Sequence, residues 1–223
     1  MFQKKIARFG AWNSLSQTLL KLTLPGVPDL YQGNELWDLS LVDPDNRRPV
    51  GFERRARYLE ELKKKESENR TALIAGLLRH WEDGRLKLYL TWKALRFRRT
   101  HHELFREGEI LADGTGGACK DHLCAFARRK TGKTGRSEWA VVAVPRLMAG
   151  RAGQSAFPTG RKVWGNTALL LPQAAPTVWK NVLTGERLDC PRRRQGGKKV
   201  LLLGEVFRSF PAALLAPCEE GNG

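Results

Sequence analysis

No apolar run in this 223-residue sequence approaches the roughly 20 residues of a membrane-spanning helix. The opening Met1-Phe2-Gln3-Lys4-Lys5-Ile6 is basic but has no apolar stretch behind it, so no secretory leader and a cytoplasmic location are expected. Cysteine is scarce. Cys119 and Cys124 flank His122, but Cys190 and Cys218 supply no second closely spaced pair. A zinc framework is therefore not indicated, and reduced, unpaired thiols are the expectation. Acidic residues are also short, 23 against 39 Lys and Arg, which leaves a net charge of +16. The basic residues are spread over 47–65, 93–106, 128–136 and 187–199, with no helix-turn-helix or RNA-recognition signature, so a nucleic-acid partner is not expected. Such a surplus is also what a segment shows when separated from a more acidic whole. Gly132-Lys133-Thr134 resembles the end of a phosphate-binding loop, but the glycine required five residues earlier is Ala127.

Hydrophobic residues make up 41% of the chain and charged residues 28%, enough apolar content to build a core. Ile6, Phe9, Leu15, Leu19, Leu20 and Leu22 recur at helical spacing and predict a helix over 2–23, stopped by Pro25-Gly26. Asn13-Ser14 falls inside it, an awkward place by helix propensity. Val27 to Tyr31 reads as a short strand, in which a buried Asp29 would need a partner. A long polar loop follows to residue 50. Helical patterns occupy 52–80, with a break expected near 63–68, and 84–100. His101 and His102 then suit a cap or a surface position.

From about residue 107 glycine becomes frequent and short apolar runs appear at 108–112, 122–128, 138–144, 167–171, 177–183, 199–203 and 212–216. Turn signals separate them, the pattern of an antiparallel β-sandwich. Segments 130–137 and 148–161 read as loops, Thr184-Gly185 as a hairpin turn, and 219–223 as a tail.

The densest cluster of hydroxyl-binding groups lies in 24–50, LPGVPDLYQGNELWDLSLVDPDNRRPV. Gly26, Pro28, Tyr31, Gly33 and Glu35 form a Gly-x-Pro-x-x-Tyr-x-Gly-x-Glu pattern. It resembles the segment around the eighth barrel strand of the α-amylase superfamily. The contiguous run Trp37 to Pro49, WDLSLVDPDNRRP, is similar to the maltooligosyl trehalose synthase family within that superfamily. Asn13-Ser14-Leu15, residues 83–105 and WKNVLTGE at 179–186 extend the likeness along the chain. After Arg47-Arg48-Pro49-Val50 this sequence departs from the pattern, with Gly51 where an acidic residue is usual.

The resemblance implies an α/β plus all-β fold: residues 1–106 as the last β/α portion of a TIM-type (β/α)8 barrel, and 107–218 as a C-terminal antiparallel β-sandwich domain. It also implies that the Asn13-Ser14 pair packs near a sheet. The activity it implies is an isomerisation of maltooligosaccharides. The reducing-end α-1,4 link becomes α,α-1,1 by a retaining, intramolecular transglucosylation that uses carboxylates. In such barrels those carboxylates stand at the ends of strands four, five and seven, and this chain carries no matching segment. No catalytic residue, cofactor or metal site is therefore expected here, and the partner implied is the remaining N-terminal barrel segment. Tyr31, Gln32, Asn34, Glu35, Asp43, Asp45, Asn46, Arg47 and Arg48 are the candidates to line or brace the reducing-end side of a sugar pocket. Two readings stay open for several of them. Tyr31 either fills core or faces a sugar, and Arg47 and Arg48 either clamp Asp43 and Asp45 or donate to hydroxyls. Likewise Trp139, Trp164 and Trp179 either fill the β-domain core or form an exposed α-glucan-binding surface.

Overall fold

The computed structural model describes residues 2–112, 114–151, 157–190 and 198–218. Part of the loop expected at 148–161 and all of the tail expected at 219–223 lie outside the described residues. The chain begins with helix α1 (Phe2–Thr23), whose buried face runs from Ala11 and Trp12 through Leu15, Leu19 and Leu22. Arg98 donates to Leu22 O in its last turn at 2.9 Å and to Gly26 O just beyond the helix at 2.7 Å. The contact with the sheet is made by Ser16, whose Oγ donates to Pro145 O at 2.9 Å; Asn13 faces solvent.

The strand expected at 27–31 does not form. These residues pair with no other strand among those described, Val27 is 96% exposed, and Asp29 needs no partner because it faces solvent. A parallel barrel strand is held by backbone hydrogen bonds to neighbours on either side, and this chain supplies none beside it.

Helix α2 (Phe52–Arg79) breaks at Asn69, where φ is −158° and ψ 95°. The Asn69 side chain accepts from the Ala72 amide at 2.9 Å and so caps the second half, just beyond the interruption expected at 63–68. Helix α3 (Arg85–Thr100) presents Leu86, Tyr89, Leu90, Ala94 and Phe97 to the interior. It starts after Gly84, whose φ of +83° suits glycine and where an added Cβ would come to 3.0 Å from Leu36 Cβ and the Trp37 amide nitrogen. His101 follows α3 and stacks 4.1 Å from Phe97, with Nδ1 against Glu138. His102 opens the short helix α4 (His102–Glu107).

Among the described residues nine strands follow: β1 (Glu109–Ala112), β2 (Gly114–Gly116), β3 (Leu123–Thr131), β4 (Ser137–Pro145), β5 (Ala168–Leu171), β6 (Val178–Asn181), β7 (Arg187–Asp189), β8 (Lys199–Leu202) and β9 (Ala213–Pro217). They form two antiparallel sheets, β1-β3-β4-β9-β6-β7 and β2-β5-β8. The short helix α5 (Arg161–Trp164) packs on α6 (Leu203–Val206), which lies beside β8. Each predicted apolar run from 108 to 216 contains a strand; β2 escaped the sequence reading because glycine carries no alternation. Gly132-Lys133-Thr134 occupies the turn joining β3 to β4. Thr184-Gly185 turns β6 into β7, with Gly185 at φ +79°. One continuous apolar cluster joins Leu15 and Leu19 of α1, Leu86 and Leu90 of α3, Val141 of β4 and Leu214 of β9. The helices thus lie on the larger sheet and share its core.

Candidate functional site

The loop between α1 and α2 is ordered by its own side chains. Asp38 Oδ1 accepts from the Ser40 amide at 2.9 Å, and Asp45 Oδ2 from the Leu41 amide at 2.8 Å. Those amide bonds hold both carboxyls below their usual range, with Arg48 adding to the effect at Asp45. Arg47 clamps Asp43 through Nε and through Nη2 at 2.7 Å, and Arg48 pairs with Asp45. Of the two readings open for these arginines, the structure contains the clamp.

Arg55, one turn into α2, donates through Nε to Glu35 at 2.9 Å, through Nη2 to Gly33 O at 2.8 Å, and through Nη1 to Gly51 O at 3.2 Å. Beneath the loop, Trp37 donates its indole N–H to Trp81 O at 2.6 Å and meets the Trp81 ring edge to face. The Lys87 ammonium lies 5.9 Å from the Trp37 ring. Burial, helped by Lys21 nearby, pushes Lys87 below its usual range, while Asp38 and Glu35 oppose that shift.

Between these elements lies a cleft of about 170 Å³ lined by Gln32, Trp37, Asp38, Asn46, Arg48 and Arg55, with Gly33, Ser40, Pro49 and Val50 completing its wall. Asn46 Oδ1 is enclosed and accepts no hydrogen bond from any described residue. Gln32, Asn46 and Arg48 of the predicted set therefore line the cleft. The Asn34 amide closes a turn onto Tyr31 O at 3.1 Å, Asp45 accepts from the Leu41 amide, and Glu35, Asp43 and Arg47 are held in side-chain pairs. Tyr31 lies outside the lining and is 45% exposed, so it is not core filler.

Trp37, Asp38, Ser40 and Arg55 line the cleft but were not singled out. The first three lie within the quoted run. Arg55 lies past the loop and carried no spacing signal. Larger hollows, about 270 Å³ along α2 and about 370 Å³ between β7 and β8, contain none of the predicted residues.

Trp139, Trp164 and Trp179 are buried, the last two completely, with their rings in the core. They offer no face to a glucan. The four cysteines are unpaired, and no group of three or more metal-ligating side chains is gathered among the described residues. No described helix is long and apolar enough to cross a membrane.

No family model matches the sequence. Mycobacterium tuberculosis proteins from strains CDC 1551 and H37Rv, both named maltooligosyl trehalose synthase, are 39% identical to it over 173 residues. That match takes in 78% of this chain but 17% of theirs, so the chain spans about a sixth of the length of these curated relatives. The structure of maltooligosyltrehalose synthase from Arthrobacter ramosus overlays at TM-score 0.67 and 30% identity, covering 94% of this chain and 22% of that one. A further crystal structure of a maltooligosyl trehalose synthase gives 0.59 at 27% identity, covering 97% and 23%.

Helices bearing a braced polar loop and set on two antiparallel sheets are thus shared with much longer proteins named as trehalose-forming synthases, of which this chain matches about a fifth. More narrowly, it belongs to the maltooligosyl trehalose synthase family and corresponds to the C-terminal region of its members.

Proposed function

We propose that this chain forms one wall of the sugar pocket of an enzyme that rearranges maltooligosaccharides, moving the reducing-end α-1,4 link to α,α-1,1 by intramolecular transglucosylation. In this reading residues 1–106 complete a (β/α)8 barrel and 107–218 form a β-sandwich domain beside it. The carboxylates that attack the anomeric carbon and protonate the leaving oxygen come from the rest of the barrel. The chain alone turns over nothing.

The observation that carries the reading is the braced cleft. Its wall combines the ionised Asp38 carboxylate, the Arg48 and Arg55 guanidinium groups and the side-chain amides of Gln32 and Asn46, a set suited to sugar hydroxyls. Beside the cleft Val27, Leu39, Leu41 and Val42 are 77–96% exposed, an apolar edge that the remaining four-fifths of a full-length relative would cover.

The test joins this chain to the preceding portion of the Arthrobacter ramosus synthase and supplies maltopentaose. Formation of a trehalose-ended product by the joined protein, and none by the 223-residue chain, is the expected outcome. Trehalose-ended product from the chain alone would sink the proposal, as would a well-folded but inactive joined protein.

A further inference from the structure

We infer that Arg55 is a positioning residue: it fixes the spacing between the two ends of the polar loop and so presets the cleft before sugar arrives. This rests on the functional reading above. The cleft-forming part of the loop runs from Gly33 to Gly51, and Arg55 donates to the backbone carbonyl at each of its ends, at 2.8 Å and 3.2 Å. Its third donor, Nε, holds Glu35 at 2.9 Å. Three donors of one planar group thus meet three acceptors in different parts of the loop. Only a guanidinium has that fork; an ammonium on a flexible stem reaches one such acceptor at a time. The side chain is 19% exposed and Glu35 30%, so solvent screens the pair only in part.

Rigid support comes from α2, whose first turn carries Arg55. The neighbouring Arg54 turns its guanidinium to Tyr58, with Nε donating to the hydroxyl at 3.1 Å and the group 5.2 Å from the ring centre. Without Arg55, the clamps Arg47–Asp43 and Arg48–Asp45 survive, because they are local to the loop. The span between Gly33 and Gly51 loses its tie.

Amide hydrogen exchange on the 223-residue chain separates these roles. Arg55→Ala is expected to speed exchange across 33–51 by about tenfold, the effect of losing charged hydrogen bonds of this kind. Arg54→Ala is expected to leave that segment unchanged, and Arg55→Lys to resemble Arg55→Ala. Equal exchange in Arg55→Ala and Arg54→Ala, or full rescue by Arg55→Lys, overturns the inference. Should Arg55→Ala fail to fold, Arg55→Lys carries the same comparison.

In the joined protein, Arg55→Ala should lower kcat on maltopentaose by about tenfold and raise the hydrolysed fraction, with KM moving less. Faster loop exchange with an unaltered product ratio and kcat also overturns it. Were the unsubstituted joined protein inactive, the functional reading would fall, while the exchange data would still decide whether Arg55 holds the loop.

Discussion

At the scale of single residues, buried polar groups decide more than exposed ion pairs. Arg128 on β3 is fully buried, and its Nη2 donates to Leu104 O, Phe105 O and Gly108 O at 2.8–3.0 Å. It thereby satisfies the end of α4, while Arg47 and Asp43 are 70% and 57% exposed and contribute little to stability. Arg128→Ala should cost about 2–4 kcal/mol in urea unfolding, and Arg47→Ala under about 0.5 kcal/mol; equal effects would contradict this ranking.

Cys190 offers a pH test. Burial pushes its thiol up to about 11 from an ordinary 9.0. Because the folded state disfavours the thiolate, the associated stability is present below pH 9 and is lost as pH rises from 9 towards 11. The unfolding midpoint should therefore fall over that window, and fall less in Cys190→Ala. An identical decline in both proteins would exclude Cys190 as its source.

At the scale of elements, caps and turns set where helices begin and end. Asn69 interrupts α2 and starts its second half by accepting the Ala72 amide. Asn69→Ala removes that acceptor and should cost about 1 kcal/mol. Asn69→Asp keeps the acceptor and should restore most of the loss, which thermal unfolding of the three proteins would resolve.

Helix α4 is tied to β3 by Lys130, which reaches Glu103 and, at 2.8 Å, Glu107. The Lys130 ammonium, helped by Arg106, holds the Glu107 carboxyl at about 2. A carboxyl depressed in this way stabilises the fold above its ordinary value of 4.5, and the contribution fades as pH falls from there to about 2. A gap in thermal midpoint between the native chain and Glu107→Gln should appear at pH 6, close near pH 2, and shrink in 1 M salt because the groups are exposed. A gap that persisted at pH 2 would point to packing instead of charge.

At the scale of the whole molecule, the apolar surface is unevenly distributed. Helices and sheets share one core, yet Phe2 and Ile6 on α1 and Val27, Leu39, Leu41, Val42 and Phe52 around the loop remain exposed. Covering the four most exposed of these is worth roughly 6–12 kcal/mol in gross transfer energy, enough to favour association with any surface that fits. The isolated chain should therefore self-associate at about 0.1 mM, above the gathering concentration for such a face. Leu39→Asp with Val42→Asp should return it to a monomer in sedimentation velocity. A monodisperse native chain would show that the edge needs no cover.

The sequence by itself determined the three long helices, the strands in its seven apolar runs and the family. Helical spacing, turn residues and the string from Trp37 to Pro49 are local properties that survive without any partner. It also determined which side chains crowd the loop, because Asp43 and Asp45 meet Arg47 and Arg48 over a few residues. Tertiary structure alone decided three matters. It denied a strand to 27–31, since pairing depends on neighbours distant in sequence. It buried Trp139, Trp164 and Trp179, since composition does not say which face of a strand or turn meets the core. It brought Arg55 from α2 to both ends of the loop, a convergence set by the path of the chain through space and by no spacing along it.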